Sequence, residues 1–388
     1  MIERWKLRRA FGERNGRECR LFRAPGRVNL IGEHTDYNGG FVLPLAIERE
    51  TVVAAAPRED RRVNAYSLNV GEAAGFDLDR PGETRRGIWL DYVEGVARAL
   101  EDRGLRLRGA DLMILSDVPV GAGLSSSAAL EVSAGLALSE VSGREVDRVQ
   151  LALAGQQAEH IYVGTMCGIM DQFVAALGQA GHALLIDCRT LEAAPVPLDT
   201  TDAAIVITDT GVKHELSNSA YNERREECEQ GVKILREFLP GIEQLRDVSA
   251  ADFERYAGRL PDVICRRCRH VVTEDARTLT AADALRRGRL EEVGRLMRRS
   301  HESLRDDYEV SCAELDFLAE TAWGLAGVVG SRMTGGGFGG STVSLVRRDA
   351  LEDYERTITS QYTRRFGHAP AIYVTDAGEG AKEVMSDE

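Results

Sequence analysis

Hydrophobic and polar positions in the first part of the chain predict strands around a polar loop. Residues 27–30 alternate, residues 31–40 are polar and glycine-rich, and apolar positions return at residues 41–47. Residues 50–56 are rich in small and β-branched side chains, which is typical of a strand. Pro44 has no amide proton, so the pattern predicts that the strand at 41–47 lies at a sheet edge or a bulge.

Helical patterns follow from residue 125. Residues 125–141 are small or apolar after three serines, and Val146, Val149 and Leu153 are spaced i, i+3, i+7 in a second helix that ends near Gly164. Further strands are predicted at residues 110–115, 182–187 and 203–208, further helices at 219–238, 262–278 and 280–300, and a glycine-rich loop with a strand at 330–345.

Strands and helices are therefore mixed in both halves of the chain, which predicts an α+β protein of two domains. No linker of distinct composition separates the halves, so the boundary is placed by the pattern alone, between residues 180 and 195. We take the domains as residues 1–185 and 186–388.

The composition is that of an acidic globular protein. The 388 residues include 49 Lys and Arg and 62 Asp and Glu, a net charge of −13, which disfavours nucleic acid and anionic membranes. No segment reaches the roughly 18 apolar residues of a membrane span, and no secretory segment is recognised. The seven cysteines are scattered, as in reduced cytoplasmic proteins. We expect a cytoplasmic protein without a membrane, nucleic-acid or obligate protein partner.

A glycine-rich turn at residues 119–130 leads directly into a predicted helix. The first amides of a helix are unpaired donors, and the helix dipole adds positive charge, so such a turn can hold phosphate. A plain helix N-cap is the alternative. The chain has no Gly-Lys dipeptide, so the segment is not a Walker loop.

Three further segments carry candidate chemistry. Glu33, His34 and Asp36 lie together in the loop at residues 26–40 and suit a polyhydroxylated ligand, although acidic loops are common. Asp171 stands among apolar and small residues, where an acid is costly unless it is paired, functional or a helix cap. Glu159 is either a magnesium ligand or a solvated helix carboxylate.

Residues 335–340 contain five glycines in six positions, more than a plain turn requires. Cys265 and Cys268, with His270 nearby, resemble half of a zinc site, but no second pair stands at suitable spacing. We therefore expect no zinc there.

These segments together resemble the GHMP kinases, and within them the galactokinase family, from about residue 23 to residue 374. Residues 210–225 are the most discriminating part of the resemblance. It implies the two-domain GHMP kinase fold, with a ribosomal-protein-S5-like N-terminal domain, an α+β C-terminal domain and the active site in the cleft between them. It also implies transfer of phosphate from ATP to the C1 hydroxyl of D-galactose, giving galactose 1-phosphate and ADP, the first committed step of the Leloir pathway.

The resemblance assigns roles residue by residue. Asp171 matches the general base, and Arg27 matches the cation that keeps it ionised and stabilises the transferring phosphate. The sugar contacts are Glu33, His34, Thr35, Asp36, Gly168, Asp171 and Tyr221. The ATP contacts are Ser67, Gly121, Ala122, Gly123, Leu124, Ser125, Ser126 and Ser127. The Mg²⁺ ligands are Ser127 and Glu159.

Two alternatives stay open. Related kinases act on N-acetylgalactosamine or arabinose, and Glu33 disfavours galacturonate because it would face the sugar's carboxylate. Some relatives are galactose-sensing regulators without kinase activity, and these lack two residues after the serine run. Residues 125–129 are intact here, which favours an enzyme.

Overall fold

The computed structural model describes residues 2–213 and 217–385, with only the backbone of residues 213, 217 and 218. Residues 214–216, within the discriminating segment 210–225, lie outside the described residues. The helices in these ranges are α1 Arg4–Asn15, α2 Leu90–Asp102, α3 Ser126–Val141, α4 Arg148–Ala158, α5 Met170–Leu177, α6 Ser217–Leu235, α7 Ala250–Tyr256, α8 Asp262–Arg286, α9 Leu290–Ser303, α10 Ala313–Trp323 and α11 Leu351–Phe366. The strands are β1 Arg20–Asn29, β2 Phe41–Val42, β3 Pro44–Pro57, β4 Arg62–Ser67, β5 Glu72–Asp77, β6 Ala110–Ser116, β7 His182–Asp187, β8 Glu192–Pro197, β9 Ala203–Lys213, β10 Val328–Thr334, β11 Gly339–Arg347, β12 Ala371–Thr375 and β13 Lys382–Val384.

The N-terminal sheet has the strand order β13-β1-β3-β6-β4-β5 and is covered on both faces. Successive side chains of β3 point to opposite faces. Val53 and Ala55 pack in the core under α2 to α5, whereas Val52 and Ala54 pack with Leu7 of α1 and its neighbours. The α+β prediction is confirmed for this half.

The C-terminal sheet has the order β10-β11-β9-β12 and is also packed on both faces. Ile205 and Ile207 of β9 contact the core that includes α8 and α9, and Val206 faces α10 and α11. A small sheet of order β2-β7-β8 accompanies the two larger ones. Strand β13 returns to pair with β1, so the end of the described chain completes the N-terminal sheet. The boundary at residue 185 falls within β7 and stays a prediction.

The strand predicted at residues 41–47 was wrong in its bounds, whereas the edge position predicted for Pro44 was right. Residues 41–47 do not form one strand: β2 ends at Val42, and β3 begins at Pro44 and continues through the stretch predicted at 50–56. Pro44 is tolerated as the first residue of β3 because this end of the strand pairs with β1 alone: Pro44 lies opposite Asn29, and pairing with β6 begins only at Thr51. The irregularity is instead in β1, where the register shifts between Pro25 and Arg27.

The prediction of separate helices at 262–278 and 280–300 was also wrong. Helix α8 continues to Arg286, and along it the hydroxyls of Thr278 and Thr280 donate to carbonyl oxygens one turn earlier. The break comes at Gly288, whose φ is +67°. The helix predicted at 125–141 is confirmed. The second helix begins only at Arg148, after its N-cap Asp147, so Val146 lies before it, and it passes into a π-helical turn, Glu159–Val163, before Gly164.

Candidate active site

A cavity of about 460 Å³ lies where the two halves of the chain meet. Arg27, Asp171 and the phosphate-loop glycines line it from the N-terminal half, and Tyr221 and residues 334–340 line it from the C-terminal half. The sugar loop (residues 26–40), the phosphate loop (residues 119–130) and the C-terminal glycine segment therefore converge on one cleft.

Arg27 and Asp171 form a bidentate ion pair in this cavity. Arg27 Nε lies 2.8 Å from Asp171 Oδ1 and Nη2 lies 2.7 Å from Oδ2, while Nη1 donates to the carbonyl of Gly123 at 2.6 Å. The Ser125 hydroxyl also contacts Asp171. The pair is assembled across the fold, because Arg27 lies on β1 and Asp171 on α5.

The bulge in β1 brings the phosphate loop against Arg27. The Arg27 amide donates to Leu124 O at 3.1 Å. A Cβ at Gly26 would come within 2.7 Å of the same carbonyl oxygen, so only glycine lets the loop approach this closely. The sequence pattern placed Gly26 in the sugar loop, and the structure shows that it serves both loops.

The phosphate loop turns sharply before α3. Gly121, Gly123 and Ser125 have positive φ, and Ser125 is the residue before the helix. The C-terminal glycine segment supports the turn from behind: Ser341 Oγ donates to Ala122 O at 2.7 Å, and a Cβ at Gly335 would come within 3.2 Å of Gly123 O. The five glycines therefore allow two backbones to pack closely.

Carboxylates gather behind the phosphate loop. Glu159 begins a π-helical turn and contacts the Ser127 hydroxyl. Burial raises the pKa of Glu159 to about 7, and the charge of Asp171 adds to the rise while Ser127 opposes it. Glu131 is fully buried, accepts a hydrogen bond from Gln172 Nε2 at 3.0 Å, and has a pKa held well above its ordinary value by burial and by Glu159. Hydroxyl and carboxylate oxygens under this repulsion fit a hard divalent cation.

Glu33 is enclosed on the opposite side of the cavity. Its Oε1 accepts from the Gly335 amide at 2.7 Å and lies 3.3 Å from both Arg332 Nη1 and Thr334 Oγ1. Burial raises the pKa of Glu33, and the charges of Arg332 and Arg27 oppose that rise.

Asp36 and Gly168 lie against each other at the cavity wall. Removal from water raises the pKa of Asp36 to about 7, and the nearby charge of Asp171 acts in the same direction. A Cβ at Gly168 would overlap the Asp36 carboxylate. Gly168 therefore leaves the room that the Asp36 side chain occupies.

Several residues assigned by the resemblance are placed elsewhere. Thr35 does not line the cavity: its hydroxyl lies 2.9 Å from Gly32 O and 2.7 Å from Phe41 O and holds the sugar loop in shape. Ser67 ends β4 away from the cavity lining, and its hydroxyl accepts from the Val70 amide at 3.4 Å. Ala122 and Leu124 turn their side chains into the core.

Sequence reasoning missed Arg332, Tyr37 and Tyr308. Arg332 is fully buried beside Glu33, and its position just before the glycine segment was a usable signal. Tyr37 lies within the sugar loop and contacts His34. Tyr308 lies far along the chain in a π-helical turn, Leu304–Tyr308, that no local pattern marks.

The cysteines considered for zinc lie in α8. Cys265 and Cys268 are buried in the core with Cys228, and a Cβ at Gly231 of α6 would overlap the Cys268 sulfur. This pair therefore packs α8 against α6. No helix in the described ranges is long and apolar enough to cross a bilayer.

Comparison with known families agrees with this site. The galactokinase galactose-binding signature matches residues 8–57, the GHMP kinase N-terminal domain matches residues 91–179, and the GHMP kinase C-terminal domain matches residues 281–363. The fold and the cleft are those of a GHMP kinase, with its two-domain architecture.

Comparison with individual proteins narrows the GHMP kinases to one family. A galactokinase of Chloroflexus aggregans is 51% identical over 95% of this chain and 94% of its own length. A galactokinase of Roseiflexus is 46% identical over 100% of this chain and 99% of its own length. The structure of Lactococcus lactis galactokinase complexed with galactose superposes with a TM-score of 0.94 at 38% identity, covering 98% of this chain and 99% of that one. The chain belongs to the galactokinase family and is an ATP-dependent sugar kinase.

Proposed function

We propose that this kinase transfers the γ-phosphoryl group of ATP to the C1 hydroxyl of D-galactose, giving galactose 1-phosphate and ADP. The observation that carries the proposal is the Arg27–Asp171 pair, which stands between the sugar loop and the phosphate loop in one cavity. The Lactococcus lactis relative bound to galactose supports the choice of sugar.

In this mechanism the C1 hydroxyl donates to a carboxylate oxygen of Asp171. As the C1 oxygen bonds to the γ-phosphorus, its proton passes to Asp171 and the bond to the ADP oxygen breaks. Arg27 pairs with Asp171 and lies where negative charge gathers on the transferring group. Because phosphoryl transfer depends mainly on positioning and charge neutralisation, a weak base suffices.

Ser127 and Glu159 are the residues that would hold Mg²⁺. Their contact and the raised pKa of Glu159 support this role, because an unneutralised carboxylate in a partly closed site favours a hard cation. Bound there, Mg²⁺ would neutralise triphosphate charge. The amides of residues 121–127 hold the phosphates at the start of α3.

The sugar would lie against Glu33, His34, Asp36, Gly168 and Tyr221, which line or adjoin the cavity. A site that hydrogen-bonds particular hydroxyls rejects an epimer that leaves those groups unpaired. The seven cysteines are all unpaired thiols, which supports a cytoplasmic location.

The test is ADP release with ATP and Mg²⁺ across galactose, glucose, N-acetylgalactosamine, arabinose and galacturonate. We expect turnover with galactose to exceed the others by far. Faster turnover with another sugar would overturn the substrate. Galactose binding without turnover on any sugar would favour a sensing role instead.

A further inference from the structure

Four polar groups form a continuous row from the cavity wall into the core. His34 Nδ1 lies 2.8 Å from the Tyr37 hydroxyl, which lies 2.7 Å from the Tyr308 hydroxyl. The Tyr308 hydroxyl in turn lies 3.2 Å from Cys228 Sγ. His34 lines the cavity, whereas Tyr308 and Cys228 are fully buried. We call this row the hydroxyl relay.

Rings packed around the relay fix its members. The His34 ring lies 4.8 Å from that of Tyr308 and 5.5 Å from that of Tyr221, and His270 packs on Tyr308 at 4.6 Å. Tyr308 ends a π-helical turn, a rare geometry often found at functional sites. The surroundings therefore hold the Tyr308 hydroxyl at one point.

His34 is neutral at ordinary pH, so the position of its single proton matters. Burial lowers the pKa of His34 to about 3, and nearby His270 acts in the same direction. A neutral imidazole donates from one nitrogen and accepts at the other. The relay determines which nitrogen of His34 carries the proton and which accepts a hydrogen bond.

The direction of the relay follows from its two ends. Burial raises the pKa of Cys228 to about 11, so the thiol keeps its proton, and sulfur is a weak acceptor. At the other end, the Gly336 carbonyl faces the His34 ring and favours a protonated nitrogen there. His34 Nε2 is buried and has no hydrogen-bond partner in the described part of the chain. Both ends are satisfied when Cys228 donates to Tyr308, Tyr308 donates to Tyr37, and Tyr37 donates to His34 Nδ1.

We propose that Tyr308 is a positioning residue which, through Tyr37, holds His34 with its proton on Nε2, on the side of the Gly336 carbonyl, and so fixes the imidazole ring that lines the cavity. This rests on the proposed function. Because the His34 ring lines the cavity, loss of this hold should weaken sugar binding.

The test places Tyr308→Phe beside Tyr354→Phe. Tyr354 is also fully buried with a hydroxyl bonded to two partners, Thr208 and Ser344, but it lies in the C-terminal core. Long-range ¹⁵N–¹H correlation on the sugar-free, histidine-labelled full chain reports the protonated nitrogen, and a His34→Gln variant assigns the signal. We expect Nε2–H in the unaltered chain, a mixture of tautomers in Tyr308→Phe, and no change in Tyr354→Phe.

Kinetics give the second readout. One lost hydrogen bond corresponds to about a 3- to 10-fold rise in KM for galactose, with kcat and KM for ATP unchanged. If Tyr308→Phe does not fold, Tyr37→Phe removes the direct donor and should shift the tautomer further. A proton on Nδ1 in the unaltered chain, or an unchanged tautomer in the variants, overturns the proposal. Absence of galactose turnover would instead overturn the proposed function, since the tautomer is read without substrate.

Discussion

On the sugar side of the cleft Glu33 is surrounded by hydrogen-bond donors, whereas on the phosphate side Glu159 lies among other acids. Arg332 and the Gly335 amide neutralise Glu33 within the folded chain. Burial raises the pKa of both acids, but the charges of Arg332 and Arg27 oppose the rise at Glu33, whereas the charge of Asp171 adds to it at Glu159, whose pKa is about 7. The first acid is satisfied by the protein, and the second leaves its charge for a cation to neutralise.

This contrast divides the work of the site. In the proposed mechanism, the preorganised wall would recognise a neutral sugar without reorganisation, while the repulsive wall would favour the cation and nucleotide that relieve the repulsion. Changes on the sugar side should therefore alter KM for galactose, and changes on the phosphate side should alter Mg²⁺ dependence and kcat. Asp171 belongs to both sides.

Asp171→Asn should have the largest effect, because it removes the proton acceptor and the partner of Arg27. We expect kcat to fall by about 10²- to 10⁴-fold, with the fold and galactose binding retained. Steady-state kinetics and calorimetry measure these quantities. Asp60→Asn is the matched control, since Asp60 also pairs with an arginine, at 2.7 Å for both hydrogen bonds, but at the surface. Near-normal turnover in Asp171→Asn would remove it from the mechanism.

Glu159→Ala tests the phosphate side. Loss of a metal ligand should raise the Mg²⁺ concentration for half-maximal rate by roughly 100-fold, with little change in galactose affinity. The measurement is a Mg²⁺ titration of the rate at saturating ATP. Glu145→Ala, at an exposed position, should leave the curve unchanged. An unaltered curve in Glu159→Ala would show that another group binds the metal.

Gly168→Ala tests the sugar side. The new Cβ would overlap the Asp36 carboxylate and force it to move. Overpacking of this kind costs about 1–3 kcal/mol, which we expect as a 10- to 100-fold rise in KM for galactose with KM for ATP unchanged. Gly258→Ala is the control, because its Cβ would meet no atom within 4 Å. Equal rises in KM for galactose and KM for ATP would show that the sugar side and the phosphate side of the cleft do not act independently.

The sequence allowed prediction of the parts of the site that lie in one contiguous stretch. The phosphate loop and the sugar loop each carry their glycines and polar groups together, so local pattern and resemblance were sufficient. Arg332 and Tyr308 reach the sugar loop from about 300 and 270 positions away, and their contacts depend on how two sheets pack. No periodic pattern of hydrophobic residues along the sequence reports how the two sheets pack.

The wrong predictions have local reasons. Pro44 signals an edge because it removes an amide, and it does lie where β3 pairs only with β1; the error was to run one strand through Leu43, where the chain leaves β2. The two helices predicted at 262–278 and 280–300 divide later than expected, at Gly288, whose φ is +67°. Both differences depend on how segments pair and pack in three dimensions, which a local sequence pattern does not report.

The smallest expected effect is the pH dependence of galactose binding through Asp36. With the pKa of Asp36 raised to about 7, the carboxyl is largely protonated at pH 6 and largely charged at pH 8, and charged acceptors form the stronger hydrogen bonds. Galactose affinity, measured by calorimetry without nucleotide or Mg²⁺, should rise by up to roughly ten-fold across that range. The same shift acts against stability: the folded chain binds more protons than the unfolded chain between the ordinary pKa and 7, so this contribution falls as pH rises through that window. Asp36→Asn should flatten the affinity profile, and a profile equally steep in that variant would assign the titration to another group.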